Sequence, residues 1–305
     1  MTSPEAIDAA ARLLGALAER DAPLGARTTY RVGGHAALLV VAHIGADLRR
    51  VRTAVMETNA DVLVVGRGSN MLVADDGFDG IAVALGDEFA DVAPNVGAAT
   101  ITAGGAAAFP LLARAAAAAG LGGLEWAVGI PGSVGGAVRM NAGGHGSDVA
   151  AHLMAWSFVD LGGGPDGERT LADLDASYRH TSVGAAHVVV EATLAANPAD
   201  PAEADAAMAE IVRWRRANQP GGQNAGSVFT NPDHDSAGRI IDAAGCKGLR
   251  VGSAEVSTKH ANFIQADPGG SADDVRALMF EVQRRVFEAT GIELKTEVRL
   301  IGFGP

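Results

Sequence analysis

The sequence contains a single cysteine, Cys246, among its 305 residues. An intrachain disulfide is therefore impossible, and clusters of thiolate metal ligands are excluded. The sequence also lacks any apolar run near the ~18 residues that a membrane-spanning helix needs. Basic residues are scarce, because 24 Lys and Arg stand against 36 Asp and Glu and give a net charge of −12. Such a chain repels nucleic acid, and its longest basic run, at 213–216, is too short for a nucleic-acid site.

The N-terminal segment also lacks the basic start of a secretory signal peptide, since it carries Glu5 and Asp8. No two histidines have the spacing of a metal site with a carboxylate nearby on one element, so no metal site is predicted. Hydrophobic residues make up 48% and charged residues 20%, as in ordinary soluble globular proteins. We therefore expect a cytoplasmic protein, long enough for two or three domains.

Apolar periodicity predicts helices and strands mixed along the whole chain, which indicates the α+β class. Predicted strands cover 38–41, 62–65, 81–85, 100–103, 155–160 and 188–194, and predicted helices cover roughly the first 20 residues, 111–119 and 272–290. The last helix begins after a capping residue, Ser271, and ends at Gly291. Its apolar stripe is predicted at Val275, Leu278, Met279, Val282, Val286 and Phe287. Two prolines and an aspartate at 197–201 indicate a linker.

The segment from Ile292 to Gly302 alternates apolar and polar residues and predicts one continuous strand. Glu297 and Arg299 fall on its polar face, where a carboxylate and a guanidinium can stand side by side over a cleft. Without further motifs, a solvated face with a surface ion pair explains the same pattern.

Glycine is concentrated in one apolar stretch, with ten glycines between Gly120 and Gly146. Because glycine lets a backbone approach a ligand closely, this stretch is a candidate for wrapping a large cofactor, with a set of tight turns as the alternative. A second glycine loop at 66–70 lacks the third glycine and the following helix of a Rossmann fingerprint. Its backbone amides can still cradle phosphate, although a plain tight turn fits equally well.

Six motifs in one order resemble those of the UDP-N-acetylenolpyruvoylglucosamine reductase family. The motifs occupy 28–34 (TTYRVGG), 65–70 (VGRGSN), 130–136 (IPGSVGG), 178–182 (YRHTS), 224–232 (NAGSVFTNP) and 292–302 (IELKTEVRLIG). Too few residues separate Tyr178 from Ser227 for the long tyrosine-bearing loop of one family branch, so the chain resembles the shorter branch. It departs from the usual family pattern at Ser177, Thr181 and Asn218, which affects local packing and one diphosphate contact.

The resemblance implies an FAD-binding domain of the vanillyl-alcohol oxidase (PCMH-type) superfamily, made of two α+β subdomains, followed by an α+β substrate-binding domain. We expect these parts at 1–85, 86–200 and 201–305. FAD would be bound non-covalently, because no flavin-linking residue is recognisable. NADPH would be the co-substrate. The substrate would be an enolpyruvyl UDP-sugar, which is a precursor of the bacterial cell wall. The protein would act as a monomer, without nucleic acid or membrane.

The resemblance also implies roles for particular residues. Arg179 would bind the substrate carboxylate, Ser227 would donate a proton, and Glu297 would polarise the same carboxyl group. The expected FAD-binding residues are Tyr30, Gly66, Arg67, Gly68, Ser69, Asn70, Ile130, Pro131, Gly132, Ser133, Gly135 and Gly136. The expected substrate-binding residues are Tyr178, Arg215 and Asn231, although for Arg215 a solvated helix face is the stronger interpretation.

Two other functions stay open from the sequence. One is an oxygen-using oxidase of the same superfamily, which would not need the set of Arg179, Ser227 and Glu297. The other is a flavin- or nucleotide-binding protein without turnover. Reduction of the flavin by NADPH and its re-oxidation by the enolpyruvyl UDP-sugar would separate the three.

Overall fold

Residues 2–304 are described by the structure, a computed structural model. The α-helices are α1 (Pro4–Leu14), α2 (Gly45–Thr58), α3 (Phe109–Ala118), α4 (Val134–Arg139), α5 (Pro201–Asn218), α6 (Ala237–Ala243) and α7 (Ala272–Thr290). Short 3-10 helices occur at Gly15–Leu17, Gly25–Arg27, Asp87–Phe89, Glu125–Gly129 and Leu171–Asp173. Within residues 2–304, no helix combines the length and the apolar character needed to cross a membrane.

The strands complete the α+β architecture and are short at most positions. They are β1 (Ala18–Ala22), β2 (Ala36–Ala42), β3 (Val62–Val65), β4 (Met71–Val73), β5 (Phe78–Leu85), β6 (Val92–Asn95), β7 (Thr100–Gly104), β8 (Leu121–Gly122), β9 (Gly143–Gly144), β10 (Ser147–Asp148), β11 (Leu153–Asp160), β12 (Gly167–Thr170), β13 (His187–Ala195), β14 (Asn197–Pro198), β15 (Arg250–Val251), β16 (Ala254–Val256), β17 (Ile264–Ala266) and β18 (Arg299–Ile301).

The chain forms two compact units, and each is assembled from separate stretches of sequence. Unit 1 takes the residues up to Asp21, then Ala37–Arg67 and Asp79–Trp214. Unit 2 takes Ala22–Ala36, Gly68–Phe78 and the residues from Arg215 onward. The three-part division at residues 85 and 200 stays a prediction.

Unit 1 contains two larger sheets, each with its own apolar core, and two sheets of only two short strands. One sheet has the strand order β1-β2-β5-β3, and the other has β12-β11-β13-β7-β6. The first core takes Leu38 and Val40 from β2 and Leu48 and Val51 from α2. The second core gathers α3, α4 and β13 around the glycine-dense stretch. The six strands predicted from periodicity are confirmed, with bounds that differ by a few residues.

Two predicted segments of unit 1 were wrong in part. The first helix ends at Leu14 because Gly15 takes a φ of +56°, and a short 3-10 helix and β1 follow it. The predicted linker at 197–201 begins with β14, in which Pro198 lies opposite Leu121 of β8. A two-residue edge strand tolerates proline because the missing N–H breaks no continuous ladder.

Unit 2 packs α6 and α7 with a small sheet of the order β15-β16-β17 around an apolar core. The core side of α7 is the predicted stripe, with Val275, Leu278, Met279, Val282 and Val286 all buried. Phe287, which was expected on the same stripe, is 52% exposed.

The prediction of one continuous strand from Ile292 to Gly302 was wrong, since only Arg299–Ile301 forms a strand. The N–H groups of Glu297 and Val298 both point to one carbonyl, that of Val228, at 2.8 and 3.4 Å. After this irregularity the chain changes partner and pairs in parallel with β4. The alternation of apolar residues indicates which side chains face the core, but it does not indicate the hydrogen-bond partners of the backbone. Those partners come from two distant segments of the chain.

The N-terminus of α7 is capped by two side chains. Ser271 Oγ accepts a hydrogen bond from the Asp274 N–H (3.2 Å), as the sequence predicts. Asp75, far away in the sequence, accepts from the N–H groups of Ala272 (2.9 Å) and Asp273 (3.2 Å). A carboxylate at this end of a helix satisfies orphan donors and interacts favourably with the helix dipole. Asp75 therefore joins the β4 segment to α7 inside unit 2.

Replacing Asp75 by alanine should lower the free energy of unfolding by about 1–2 kcal/mol, because the first N–H groups of α7 lose their acceptor. Asp76→Ala is the matched control. It removes an exposed neighbouring carboxylate that caps no helix among residues 2–304, and should change stability by less than about 0.5 kcal/mol. Chemical denaturation followed by circular dichroism measures both. Equal effects of the two substitutions would contradict the cap.

Candidate active site

The segment that carries Ser227 is held in an irregular conformation by its own motif. Asn224 Oδ1 accepts a hydrogen bond from the Gly226 N–H (3.0 Å), which closes a tight turn. Gly226 takes a φ of +75°, a conformation that residues with a side chain rarely adopt. Ser227 follows this turn, half-buried, directly before the buried Val228 and Phe229. The two residues after Ser227 thus lie in the core, whereas Ser227 itself is only partly enclosed.

Glu297 is joined to this segment through the backbone. Its N–H donates to the carbonyl of Val228 (2.8 Å), the residue after Ser227. The Glu297 carbonyl accepts from Asn70 Nδ2 (3.1 Å), and the Arg299 N–H donates to the Asn70 carbonyl (3.1 Å). Unit 2 therefore brings together two of the predicted catalytic residues and one predicted cofactor residue. The Glu297 side chain is half-buried, whereas Arg299 is exposed.

Arg179, the third predicted catalytic residue, lies in unit 1 at the tip of a tight turn. Ser177 and His180 exchange two backbone hydrogen bonds of 3.0 and 3.1 Å. Arg179 adopts a φ of +57° between them, a left-handed conformation that costs roughly 1–2 kcal/mol for a residue with a side chain. Strain of this kind is found where a site requires one particular orientation.

The Arg179 side chain is also directed by its neighbours. Its Nη2 donates to the carbonyl of Gly143 (2.9 Å), and its guanidinium carbon lies 5.2 Å from the ring centroid of Tyr178. The turn is fixed at both ends, because Asn141 Nδ2 donates to the Ser177 carbonyl (3.0 Å) and Thr181 Oγ1 donates to the Arg139 carbonyl (2.6 Å). Thr181 departs from the family pattern, but its hydroxyl still has a structural role in this turn.

Within each unit, two of the predicted FAD segments pack closely against each other at a glycine. In unit 2, Gly68 has a φ of +63°, and a Cβ there would lie 2.6 Å from Thr28 Cα. The Thr29 N–H donates to the Gly68 carbonyl (3.1 Å). In unit 1, a Cβ on Gly66 would lie 2.7 Å from Ser133 Oγ. In each unit the glycine therefore lets two predicted FAD segments come closer than a residue with a side chain would allow.

The remaining predicted FAD residues lie on these same segments. Gly66 and Arg67 end the Ala37–Arg67 stretch of unit 1, and Ser69 and Asn70 follow Gly68 in unit 2. The stretch Ile130, Pro131, Gly132, Ser133, Gly135 and Gly136 leads into and begins α4. There Ser133 Oγ accepts from the Gly136 N–H (3.2 Å), and the Gly135 N–H donates to the Gly105 carbonyl (2.9 Å).

Tyr30 gives a direct indication that unit 2 fits a polar ligand group. Its side chain is fully buried, and its hydroxyl has no hydrogen-bond partner among the described residues. An unsatisfied buried hydroxyl costs about 1–3 kcal/mol, so native proteins rarely retain one without a function. Burial raises the pKa of the Tyr30 phenol, which keeps it protonated as a donor. A polar atom of a bound cofactor would accept from it.

The predicted UDP-binding residues differ in their surroundings. Arg215, near the C-terminus of α5, is half-buried, its Nε donates to Gln219 Oε1 (2.7 Å), and burial lowers the pKa of its guanidinium. A solvated helix face therefore does not describe Arg215. Asn231 is exposed, and its Oδ1 accepts from the Ala237 N–H (3.0 Å) at the start of α6. Tyr178 is 57% exposed.

Comparisons with known proteins indicate the same family over most of the chain. Residues 36–164 match the FAD binding domain model, and residues 218–301 match the C-terminal domain model of UDP-N-acetylenolpyruvoylglucosamine reductase. UDP-N-acetylenolpyruvoylglucosamine reductase 2 of Symbiobacterium thermophilum is 41% identical over 288 residues, covering 94% of this chain and 92% of that protein. The reductase of Paramagnetospirillum magneticum is also 41% identical, covering 92% and 91%. This chain belongs to the UDP-N-acetylenolpyruvoylglucosamine reductase family.

A solved structure of a family member supports the fold. The reductase of Thermus caldophilus aligns with a TM-score of 0.80 at 36% identity, covering 93% of this chain and 98% of that one. The predicted family, the α+β fold with an FAD-binding domain and the FAD cofactor are thereby confirmed. The roles of the individual site residues stay predictions.

Sequence reasoning missed two buried asparagines of this reductase. Asn141, 2% exposed, holds the Arg179 turn, and Asn262, 3% exposed, bonds to the segment after Ser227. For Asn262 a signal was present, because a polar residue stands between the apolar Ala261 and Phe263. Asn141 stands within the glycine-dense stretch, where no periodicity marks a buried position.

Tyr30→Phe should weaken FAD binding by up to about tenfold, since one buried hydrogen bond contributes about 0.5–1.5 kcal/mol. The FAD-free protein should become more stable, because an unsatisfied hydroxyl leaves its core. Fluorescence titration with FAD and thermal unfolding of the FAD-free protein measure the two effects. Tyr178→Phe is the matched control and should leave FAD affinity unchanged. Unchanged affinity with Tyr30→Phe would remove Tyr30 from the cofactor site.

Proposed function

We propose that this protein reduces the enolpyruvyl group of UDP-N-acetylglucosamine enolpyruvate to UDP-N-acetylmuramate, with NADPH as the reductant. The observation that carries the proposal is the junction of the Ser227 and Glu297 segments through the bond from the Glu297 N–H to the Val228 carbonyl (2.8 Å). An oxidase acting on an alcohol has no need of a proton donor and a carboxylate fixed to each other in this way. We place the reaction in the cytoplasm and expect a monomeric enzyme.

The reaction requires hydride, charge stabilisation and a proton. Bound FAD would supply the hydride that NADPH first provides. Addition of hydride to C3 of the enolpyruvyl group moves negative charge onto C2 and the adjoining carboxylate. Residues of the chain must stabilise this enolate-like dianion and then protonate C2. The FAD itself would be held by Tyr30, the loop 66–70 and residues 130–136.

Arg179 would bind the substrate carboxylate. A guanidinium offers parallel donors that match the two carboxylate oxygens, and its charge stabilises the dianion more than the ground state. The bond from Nη2 to the Gly143 carbonyl and the strained turn would hold the fork in one direction. Preorganisation of this kind avoids reorientation during the reaction.

Ser227 Oγ would give its proton to C2. A hydroxyl is a weak acid in water, but a carbanion beside a carboxylate is a strong base, so a positioned hydroxyl suffices. Glu297 would polarise the substrate carboxyl group or share a proton with it. A carboxylate beside an anionic substrate needs a compensating cation. Arg179, with Arg299 as a further candidate, would provide that charge.

Binding of the nucleotide part would use the other predicted residues. Arg215 is the stronger candidate for the diphosphate, because a partly desolvated guanidinium attracts an anion more strongly than a hydrated one. Asn231 and Tyr178 are exposed and would contact the nucleotide or sugar from the surface. The net charge of −12 makes such local cations necessary for an anionic substrate.

Ser227→Ala tests the proposed function through its two half-reactions. NADPH should still bleach the flavin at a rate close to that of the unmodified protein, because the hydroxyl acts only afterwards. Re-oxidation by the enolpyruvyl UDP-sugar should slow by about 10²–10⁴-fold, the usual effect of losing a positioned proton donor. Stopped-flow absorbance follows each half separately.

The matched control is Thr230→Val, which removes a hydroxyl from the same segment three residues later. Thr230 Oγ1 donates to the Lys295 carbonyl (3.3 Å), so its loss should leave both half-reactions unchanged. If Ser227→Ala slowed both halves equally, or neither, Ser227 would be structural and the assigned mechanism would be wrong.

A further inference from the structure

A buried amide, Asn262, occupies the place of a partner strand beside the Ser227 segment. Its Nδ2 donates to the Phe229 carbonyl (2.8 Å), and its Oδ1 accepts from the Phe229 N–H (3.0 Å). Its backbone carbonyl accepts from the Val228 N–H (2.9 Å). One residue therefore satisfies three backbone groups that lie directly after Ser227.

Asn262 is itself fixed by its loop. It is 3% exposed and stands between Ala261 and Phe263, which are 4% and 3% exposed. The Phe263 N–H donates to the His260 carbonyl (3.0 Å), and the Asn262 N–H donates to His260 Nδ1 (3.2 Å). A side chain so enclosed has little rotamer freedom. It therefore holds the Phe229 backbone at a fixed position relative to the loop of Asn262.

The contacts of Asn262 and Glu297 meet on the same residue. The Val228 N–H bonds to Asn262, and the Val228 carbonyl accepts from the Glu297 N–H. The peptide groups after Ser227 are thereby held from both sides, whereas Gly226 before it offers no side chain and takes a φ of +75°. Ser227 is thus followed directly by two residues whose backbone groups are held by Asn262 and Glu297.

We propose that Asn262 is a positioning residue that fixes Ser227 for proton transfer to the substrate. The inference rests on the proposed function, because Ser227 is there the proton donor. Only an amide side chain presents a donor and an acceptor in one plane, as the Phe229 backbone requires. An aspartate would keep the acceptor and lose the donor, and an alanine would leave buried backbone groups without partners. Misplacement of a reacting group by about 1 Å can slow a reaction by about 10²-fold.

The experiment uses Asn262→Ala and Asn262→Asp in the intact, FAD-loaded protein. Flavin reduction by NADPH should remain within about twofold of the unmodified rate, and re-oxidation by the enolpyruvyl UDP-sugar should slow by about tenfold or more. Met279→Ala is the control for destabilisation. Met279 is 1% exposed in the core of the same unit, and its side chain has no group that donates a hydrogen bond to the Ser227 segment. Its replacement should lower the Tm and leave both half-reactions unchanged.

A double variant separates positioning from general stabilisation. If Asn262 acts through Ser227, adding Asn262→Ala to Ser227→Ala should slow re-oxidation by less than about twofold further. Hydrogen exchange gives a readout without turnover, because the Phe229 amide should lose protection in Asn262→Ala and keep it in Met279→Ala. The inference would be overturned if the double variant slowed re-oxidation by the product of the two single effects. It would also be overturned if Asn262→Ala slowed both half-reactions equally.

Failure of the inference differs from failure of the proposed function. If the unmodified protein is re-oxidised by the enolpyruvyl UDP-sugar and Asn262→Ala behaves identically, the positioning role is wrong and the function stands. If the unmodified protein is not re-oxidised by that substrate, the proposed function fails first, and the role for Asn262 falls with it.

Discussion

The hydrogen bond from the Glu297 N–H to the Val228 carbonyl (2.8 Å) is the constraint on which unit 2 depends. It joins segments that lie far apart in the chain and leaves Glu297 and Ser227 on neighbouring backbones. The junction also includes Asn70 of the predicted cofactor loop, since its side-chain amide donates to the Glu297 carbonyl (3.1 Å). Because the bond between Glu297 and Val228 uses only main-chain groups, it tolerates side-chain change at these two residues but not a shift of register.

Each unit keeps one feature that a protein selected for stability alone would avoid. Arg179 adopts a left-handed conformation, and the Tyr30 hydroxyl is buried without a partner among the described residues. Each costs on the order of 1–3 kcal/mol. The proposed roles in binding would explain both, because the first would direct a guanidinium and the second would keep a donor for a ligand. Exceptions to local rules cluster at functional sites for this reason.

A structural element could be predicted from the sequence when the residues that determine it lie close to it in the chain. Helix α7 was predicted because Ser271, the apolar stripe and Gly291 act within a few turns. The prediction of one continuous strand at 292–302 was wrong because the partners of this segment, near Val228 and Asn70, lie far away in the sequence. The role of Asn262 was missed because its signal, one polar residue between two apolar ones, does not show which distant backbone groups it bonds. The family motifs identified the fold and cofactor, since their order along the chain is more specific than any one of them.

The central claim is that the flavin passes electrons from NADPH to an enolpyruvyl UDP-sugar rather than to oxygen. An anaerobic titration of the FAD-loaded protein tests this most directly. NADPH should bleach the flavin absorbance, and one equivalent of UDP-N-acetylglucosamine enolpyruvate should restore it within the time of a turnover, whereas air should restore it slowly. Rapid re-oxidation by air with no response to the UDP-sugar would contradict the account and favour an oxidase.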